Sequence, residues 1–171
     1  MHVREATPAD AAGVRRVADA AWRDAHEPIV GAAAVQEFLA EYYAVETLRE
    51  RYRDGDNTTL VACEDDTGEA TDVVGYASGV PGDDDAGALT LGSIYVHPDR
   101  QGEGVGSQLL DGIEALARDG GYDAIRLVVM AANENARGFY EARGFEHVAD
   151  DYDERLHVEN CEYVKVLGDD D

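Results

Sequence analysis

Lysine is almost missing from this chain: Lys165 is the only one in 171 residues. Lysine and arginine together number 14 against 37 aspartates and glutamates, a formal charge of −23. A surface so poor in cations excludes nucleic acid as a partner, because phosphate backbones are held by basic side chains. Two readings of the acidity remain. One is a negative field that draws in cationic substrates. The other is adaptation to multimolar salt, where acidic surfaces stay hydrated and the Debye length, about 3 Å at 1 M, leaves little steering. The charges are spread along the whole chain and lysine is avoided, so the halophilic reading is favoured and charge alone names no partner.

Cysteine is scarce as well. Cys63 and Cys161 lie far apart, and neither has a Cys or His neighbour at metal-ligand spacing along the chain. Two reduced thiols packed in strands are expected, with no disulfide and no metal site. No run of about 18 apolar residues is present, so no membrane span is expected. The opening "MHVREATPAD" lacks the apolar core of a secretory signal, which makes the cytoplasm the expected compartment. The length suits a single domain, residues 1–171, with an acidic tail at about 168–171.

The remaining sequence is well punctuated. "HVREA" alternates as a short strand, and Thr7, Pro8 and Asp10 then read as N-cap, first position and first turn of a helix. Val14, Val17, Ala18, Ala21 and Trp22 follow at helical spacing, and a second helix is expected from about Ala32 to Tyr52. "TTLVACEDD" and "DVVGYASGV", joined by "TGEAT", read as a hairpin. The acidic loop "PGDDDAGA" leads to the strand "LTLGSIYVH". A glycine-rich turn follows, then a helix with Val105, Leu109, Leu110, Ile113 and Leu116 on one face, stopped at Gly120-Gly121. "AIRLVVMA" is nearly continuously apolar, as a strand covered on both faces would be. A short helix "NENARGFYEAR" and two last strands, roughly "FEHVADDYDERL" and "VENCEYVKVL", complete the order β-α-α-β-β-β-α-β-α-β-β. That order implies one mixed sheet with helices against it, an α/β-type domain.

The turn "VHPDRQGEGVGSQLL" carries Gly102, Gly104 and Gly106 at alternate positions, poor material for a helix start. It is not a Walker A loop, since Ser107 and Gln108 stand where Lys-Ser/Thr is needed. Nor is it a Rossmann fingerprint, whose third glycine would fall at Ser107. A strand, glycine turn and helix still bring unpaired amides and a positive helix end together, which suits an anion. A tight turn without a ligand explains the glycines equally well. The glycines alone do not choose.

The flanking residues do. "IYVHPDRQGEGVGSQLL" resembles the signature of the GCN5-related N-acetyltransferases (GNAT), V-x-P-x-x-[QR]-x-x-G-x-G, through Val96, Pro98, Gln101, Gly104 and Gly106. "NENARGFYEARGF" resembles a second motif of that family through Asn133, Ala136, Phe139, Tyr140, Gly144 and Phe145. The resemblance spans nearly the whole chain and is weakest from about Asp24 to Asp56. It implies a single-domain α/β fold with a mostly antiparallel sheet, a splayed parallel strand pair and about four helices. It implies acetyl-CoA as cosubstrate, with its pantetheine arm on the backbone of Ile94, Tyr95 and Val96. Its pyrophosphate would lie on amides of the turn, Gln101, Gly102, Glu103, Gly104, Val105, Gly106 and Ser107. Asn133 would contact the cofactor, and Tyr140 would point at the thioester sulfur as the catalytic acid.

The chemistry so implied is attack of a primary amine, small-molecule or peptidic, on the thioester. The amine must lose a proton from an ammonium of pKa about 10.4. The oxyanion needs a donor, for which the Val96 N–H is the candidate. The leaving thiolate, of pKa about 8.5, gains moderately from an acid. Relatives that carry a Glu on the strand before the turn, or five residues before the Asn, differ here: "ALTLGSIYV" holds no carboxylate and Val128 fills the second position. Asp24, His26 and Glu27, a residue of the last strands, or ordered water relaying the proton are the remaining candidates for a base, and none is singled out. The alternative to an enzyme is a CoA-binding sensor or regulatory module on the same fold. The acceptor stays open, as does oligomeric state, although homodimers are common in the family.

Overall fold

The computed structural model describes residues 1–54, 58–64, 72–81 and 87–167. The predicted acidic tail, the whole "TGEAT" turn and most of the acidic loop "PGDDDAGA" lie outside the described residues. The elements run β1 (His2–Glu5), α1 (Ala11–Val30), α2 (Ala32–Tyr42), α3 (Val45–Asp54), β2 (Thr58–Cys63), β3 (Val73–Pro81) and β4 (Ala88–Val96). There follow α4 (Val105–Asp119), β5 (Ala124–Met130), α5 (Glu134–Ala142), β6 (Glu146–Asp153) and β7 (Val158–Val166).

The seven strands form one sheet in the order β1-β2-β3-β4-β5-β7-β6. Every neighbouring pair is antiparallel except β4 and β5. Helices α1, α2 and α3 cover one face over the first strands, and α4 covers the other. Strand β2 shows how sequence feeds both layers. Leu60 and Ala62 belong to the α4 core, whereas Val61 and Cys63 belong to the α1–α3 core. The amphipathic face of α4 is buried as the spacing predicts, with Val105, Leu109, Leu110 and Ile113 at most 2% exposed. Each such side chain stabilises the fold by roughly 1.5–3 kcal/mol. Both cysteines are buried, Cys63 in β2 and Cys161 in β7.

Three expectations are corrected. The helix from Ala32 to Tyr52 is two helices, so five flank the sheet rather than about four. The break at Tyr43 has a cause on α1. The Arg15 guanidinium donates to the carbonyls of Leu39 (3.3 Å) and Tyr43 (3.1 Å), satisfying the orphan end of α2. Helix α1 begins at Ala11 rather than Pro8, because Pro8–Asp10 forms a 3₁₀ turn. The Asp10 carboxylate accepts from the Thr7 N–H (2.8 Å) and from both terminal nitrogens of Arg4 (2.8 and 3.0 Å). Burial alone would raise the Asp10 pKa; the bonds from Arg4 and Thr7 outweigh it and hold the carboxyl below its usual range. Finally, β5 is not covered evenly on both faces: Ile125, Leu127 and Val129 are buried on one, but on the other Val128 is 54% exposed while Met130 is buried.

Candidate active site

The parallel pair β4–β5 is registered at only three positions, Ala88↔Ala124, Leu89↔Ile125 and Thr90↔Arg126. Beyond Thr90 the two strands part, and the last residues of β4 lose their β5 neighbour. The separation begins where β4 skips a residue against β3, between the pairs Gly79↔Leu91 and Ser78↔Ser93. A bulge of this kind bends a strand and re-aims its edge.

Hydrogen bonding at the end of β4 fixes which groups face the gap. The His97 N–H donates to the Val74 carbonyl (2.9 Å), so the pair Gly75↔Val96 is the non-hydrogen-bonded kind. The N–H and C=O of Val96 therefore turn away from β3 and toward the gap, and by alternation so do those of Ile94. The backbone of Tyr95 faces β3. Of the three strand residues expected to meet a pantetheine arm, Ile94 and Val96 have the outward amides. The Gln101 side-chain amide donates to the Val96 carbonyl (3.3 Å), which leaves the Val96 N–H as the open donor.

The gap opens into a cleft of about 700 Å³. Its walls are β4, the glycine turn, the start of α5 and the last turns of α1. Gln101, Gly102, Gly104, Val105, Gly106, Ser107 and Asn133 all line it, together with Ile94, Tyr95, Val96 and Tyr140. Glu103 is the exception: it lies outside the lining, and its carboxylate accepts from Arg100 Nε (3.1 Å). A carboxylate turned to that arginine leaves only the Glu103 backbone to serve an anion.

The glycines now have separate reasons. Gly102 and Gly104 adopt φ of +82° and +85°, the left-handed region that side chains avoid. A Cβ at either would meet nothing within 4 Å, so it is backbone conformation that requires them. Gly106 is helical, and a Cβ there would come within 3.3 Å of the Phe139 ring. Close contact between α4 and α5 explains that position. The three leave the first amides of α4 bare at the cleft wall, where the helix dipole is positive.

Asn133 caps α5, its side-chain oxygen accepting from the Ala136 N–H (3.2 Å). Tyr140 is 8% exposed, held among Phe139, Phe145 and Tyr163. Burial raises its pKa well above the ordinary phenol value, so the hydroxyl keeps its proton. Arg143, which sequence reasoning missed, also lines the cleft. Its guanidinium lies 3.7 Å from the Phe139 ring centroid and donates to the Phe139 carbonyl (3.1 Å) and to Ser107 Oγ. It follows Tyr140 by three residues on one helical face, a spacing that could have flagged it.

The base candidates separate clearly. Asp24 lines the cleft from α1, where Pro28 removes the N–H that would otherwise bond the Asp24 carbonyl. Glu27 is paired with Arg23 (3.7 Å). His26 is 4% exposed in an aromatic cluster, with Nε2 3.1 Å from Tyr95 Oη and Nδ1 without a partner. Burial lowers its pKa to about 4, which makes it a weak base.

Comparison with known proteins identifies the family. The acetyltransferase (GNAT) family matches residues 16–145. An aminoglycoside N(6')-acetyltransferase type 1 from Stenotrophomonas maltophilia is 30% identical over 150 residues, which is 84% of this chain and 85% of that protein. PaiA N-acetyltransferase from Thermoplasma acidophilum, solved with coenzyme A, superposes with a TM-score of 0.79 at 20% identity, covering 97% of this chain and 98% of that one. A ribosomal-protein-alanine N-acetyltransferase from Brucella melitensis gives 0.69 at 25% identity, covering 98% and 100%.

Proposed function

Since the chain belongs to the GNAT family of acetyltransferases and is an acyl-CoA-dependent N-acetyltransferase, we propose that its thioester lies in the gap between β4 and β5 and that its acceptor is a small cationic amine. The observation that carries the placement is the three-residue β4–β5 pairing, which leaves the Ile94 and Val96 amides facing a cleft. The pantetheine arm adds to that edge as a strand would. The diphosphate rests on the bare amides from Gln101 to Ser107, with the Arg143 charge beside it.

Acetyl transfer then divides among few groups. The amine attacks the thioester carbonyl, and the Val96 N–H donates to the oxygen that becomes negative. As the C–S bond breaks, the Tyr140 hydroxyl donates to the departing sulfur. The amine's proton leaves through water. Asp24 and Glu134, both at the cleft wall, attract the cationic acceptor, and the kinship with an aminoglycoside acetyltransferase supports a substrate with several amines. The cytoplasm is the proposed compartment, and the acidic composition is proposed to be halophilic adaptation.

The test is acetyl-CoA turnover over a panel of aminoglycosides, polyamines, amino acids and peptides in molar KCl, read as free thiol. Acetylation of one amine class with saturation supports the proposal. Tight acetyl-CoA binding with no acetylation of any acceptor would favour the sensor reading instead.

A further inference from the structure

At the edge of the sheet, the hairpin of β6 and β7 brings together three side chains that sequence spacing keeps apart. His147 and Asp150 are on β6 and Cys161 is on β7. In a regular strand residues 147 and 150 would face opposite sides of the sheet. Strand β6 is not regular: the register jumps from His147↔Tyr163 to Ala149↔Glu162, so Val148 is the extra residue of a bulge. Asp150 consequently pairs with Cys161, and His147 with Tyr163. Cys161 and Tyr163 share a face of β7, so His147 and Asp150 share it too.

The donors converge. His147 Nε2, an Asp150 carboxylate oxygen and Cys161 Sγ lie within 4.8 Å of one another. His147 Nε2 is 2.7 Å from Asp150 Oδ1. The imidazole stacks on the Tyr163 ring, with centroids 5.3 Å apart and planes at 25°, which fixes its orientation. Tetrahedral zinc, with bonds of about 2.0–2.3 Å, sets its ligand atoms about 3.4–3.7 Å apart. To reach that spacing the His147–Asp150 pair opens from 2.7 Å, while donors as far as 4.8 Å apart close by about 1 Å.

We propose that His147, Asp150 and Cys161 form a site for a divalent transition metal of the zinc class, with water in the open fourth position. The donor set selects the metal: one thiolate, one imidazole and one carboxylate suit zinc or cobalt and disfavour magnesium or calcium. Binding replaces the Cys161 S–H proton, which leaves to solvent, so thiolate and carboxylate together neutralise the ion. Glu159, two residues before Cys161 on the same face, adds negative charge near the sulfur. Arg137 is the opposing cation; its guanidinium is engaged by Tyr163 Oη (3.0 Å) and the Ala131 carbonyl (3.1 Å). The function of the ion is a staple. Nearly all of β6 is exposed at the sheet edge, and the ion would tie it to the buried Cys161 of β7. Through His147 on Tyr163, whose hydroxyl donates to Glu141 (2.6 Å), it would also brace α5.

Cobalt(II) titration of the chelator-stripped full chain tests this. The expected result is a thiolate-to-cobalt charge-transfer band in the near ultraviolet with intensified visible bands, both bleached by zinc. Cys161→Ser should abolish the charge-transfer band. His147→Ala and Asp150→Asn, at exposed positions that leave the core untouched, should each weaken cobalt binding at least about tenfold. They decide the matter should the serine variant not fold. A cobalt spectrum without a thiolate band, as surface carboxylates would give, overturns the proposal. So does equal affinity in wild type and His147→Ala.

Discussion

Replacing Tyr140 by phenylalanine removes one oxygen and keeps the ring among Phe139, Phe145 and Tyr163. Burial is the influence that raises the phenol pKa, so the group enters the reaction protonated and can only donate. That same shift limits its power. A phenol above its ordinary value of about 10 is a weaker acid than the thiol of about 8.5 that its proton would create, so full transfer is uphill. Its proposed contribution is a hydrogen bond to sulfur that strengthens as charge develops, at the low end of the 10²–10⁴-fold range for acid–base catalysis. A hundredfold loss in kcat corresponds to about 2.7 kcal/mol. Acetyl-CoA affinity should stay within about twofold, because the interaction is made at the barrier. Steady-state kinetics on a good acceptor, with calorimetry for acetyl-CoA, checks both halves. The pH profile is a further check: wild-type kcat should show no falling limb up to the ordinary phenol value of about 10. Wild-type kcat in Tyr140→Phe would refute the reasoning and leave Tyr140 a packing residue.

Gly104→Val should weaken acetyl-CoA binding at least about tenfold in a folded protein, since φ of +85° resists a β-branched side chain at a residue that lines the cleft; unchanged affinity by calorimetry would mean that the glycine serves only the turn. His26, with its pKa lowered to about 4 by burial, favours the unprotonated fold, so its contribution is present above the unfolded value of about 6.5 and lost as pH falls toward 4. Urea melts across that window should show wild type losing up to about 3 kcal/mol more than His26→Phe, and parallel curves would disprove the assignment. If the acidity is halophilic adaptation, the melting temperature should climb with KCl into the molar range as self-repulsion is screened. A salt-independent melt would return weight to substrate steering.

Local signals in this chain were legible where one residue does one job. Gly120 and Gly144 stop helices where expected, and Gly102 and Gly104 adopt the conformations that only glycine takes easily. The buried face of α4 follows from its spacing. What stayed hidden depends on partners distant in sequence. Nothing in "FLAEYYAVETL" announces that Arg15, 28 residues before Tyr43, will take the carbonyl that ends α2. The run "AIRLVVM" looks doubly covered, yet the three N-terminal helices sit over the other half of the sheet, so Val128 meets solvent. The bulge at Val148 is equally silent, and without it His147 and Asp150 could not share a face. At the cleft, motif matching found the turn and Tyr140 but not Arg143, which stands at a variable position of the pattern.

The acidity of the chain and the polyanion it is proposed to bind pose an electrostatic problem that the cleft answers locally. A net charge of −23 repels a nucleotide diphosphate at low salt, and in molar salt a Debye length of about 3 Å removes both that repulsion and any distant attraction. Only groups in contact then count. Amides at the start of α4 meet this need, because their partial charges are fixed by the fold and carry no counterion. The two arginines at the turn differ in the same light. Arg100 is spent on Glu64 and Glu103, and its charge is largely cancelled before any ligand arrives. Arg143 bonds neutral oxygens of Ser107 and Phe139 and lies over an aromatic ring, so its charge stays uncompensated at the cleft wall. A guanidinium held by α5 against the first turn of α4 loses little freedom on binding. In a protein with so few cations, a guanidinium at the cleft wall that is held in place by neutral oxygens is where a phosphate contact has most effect.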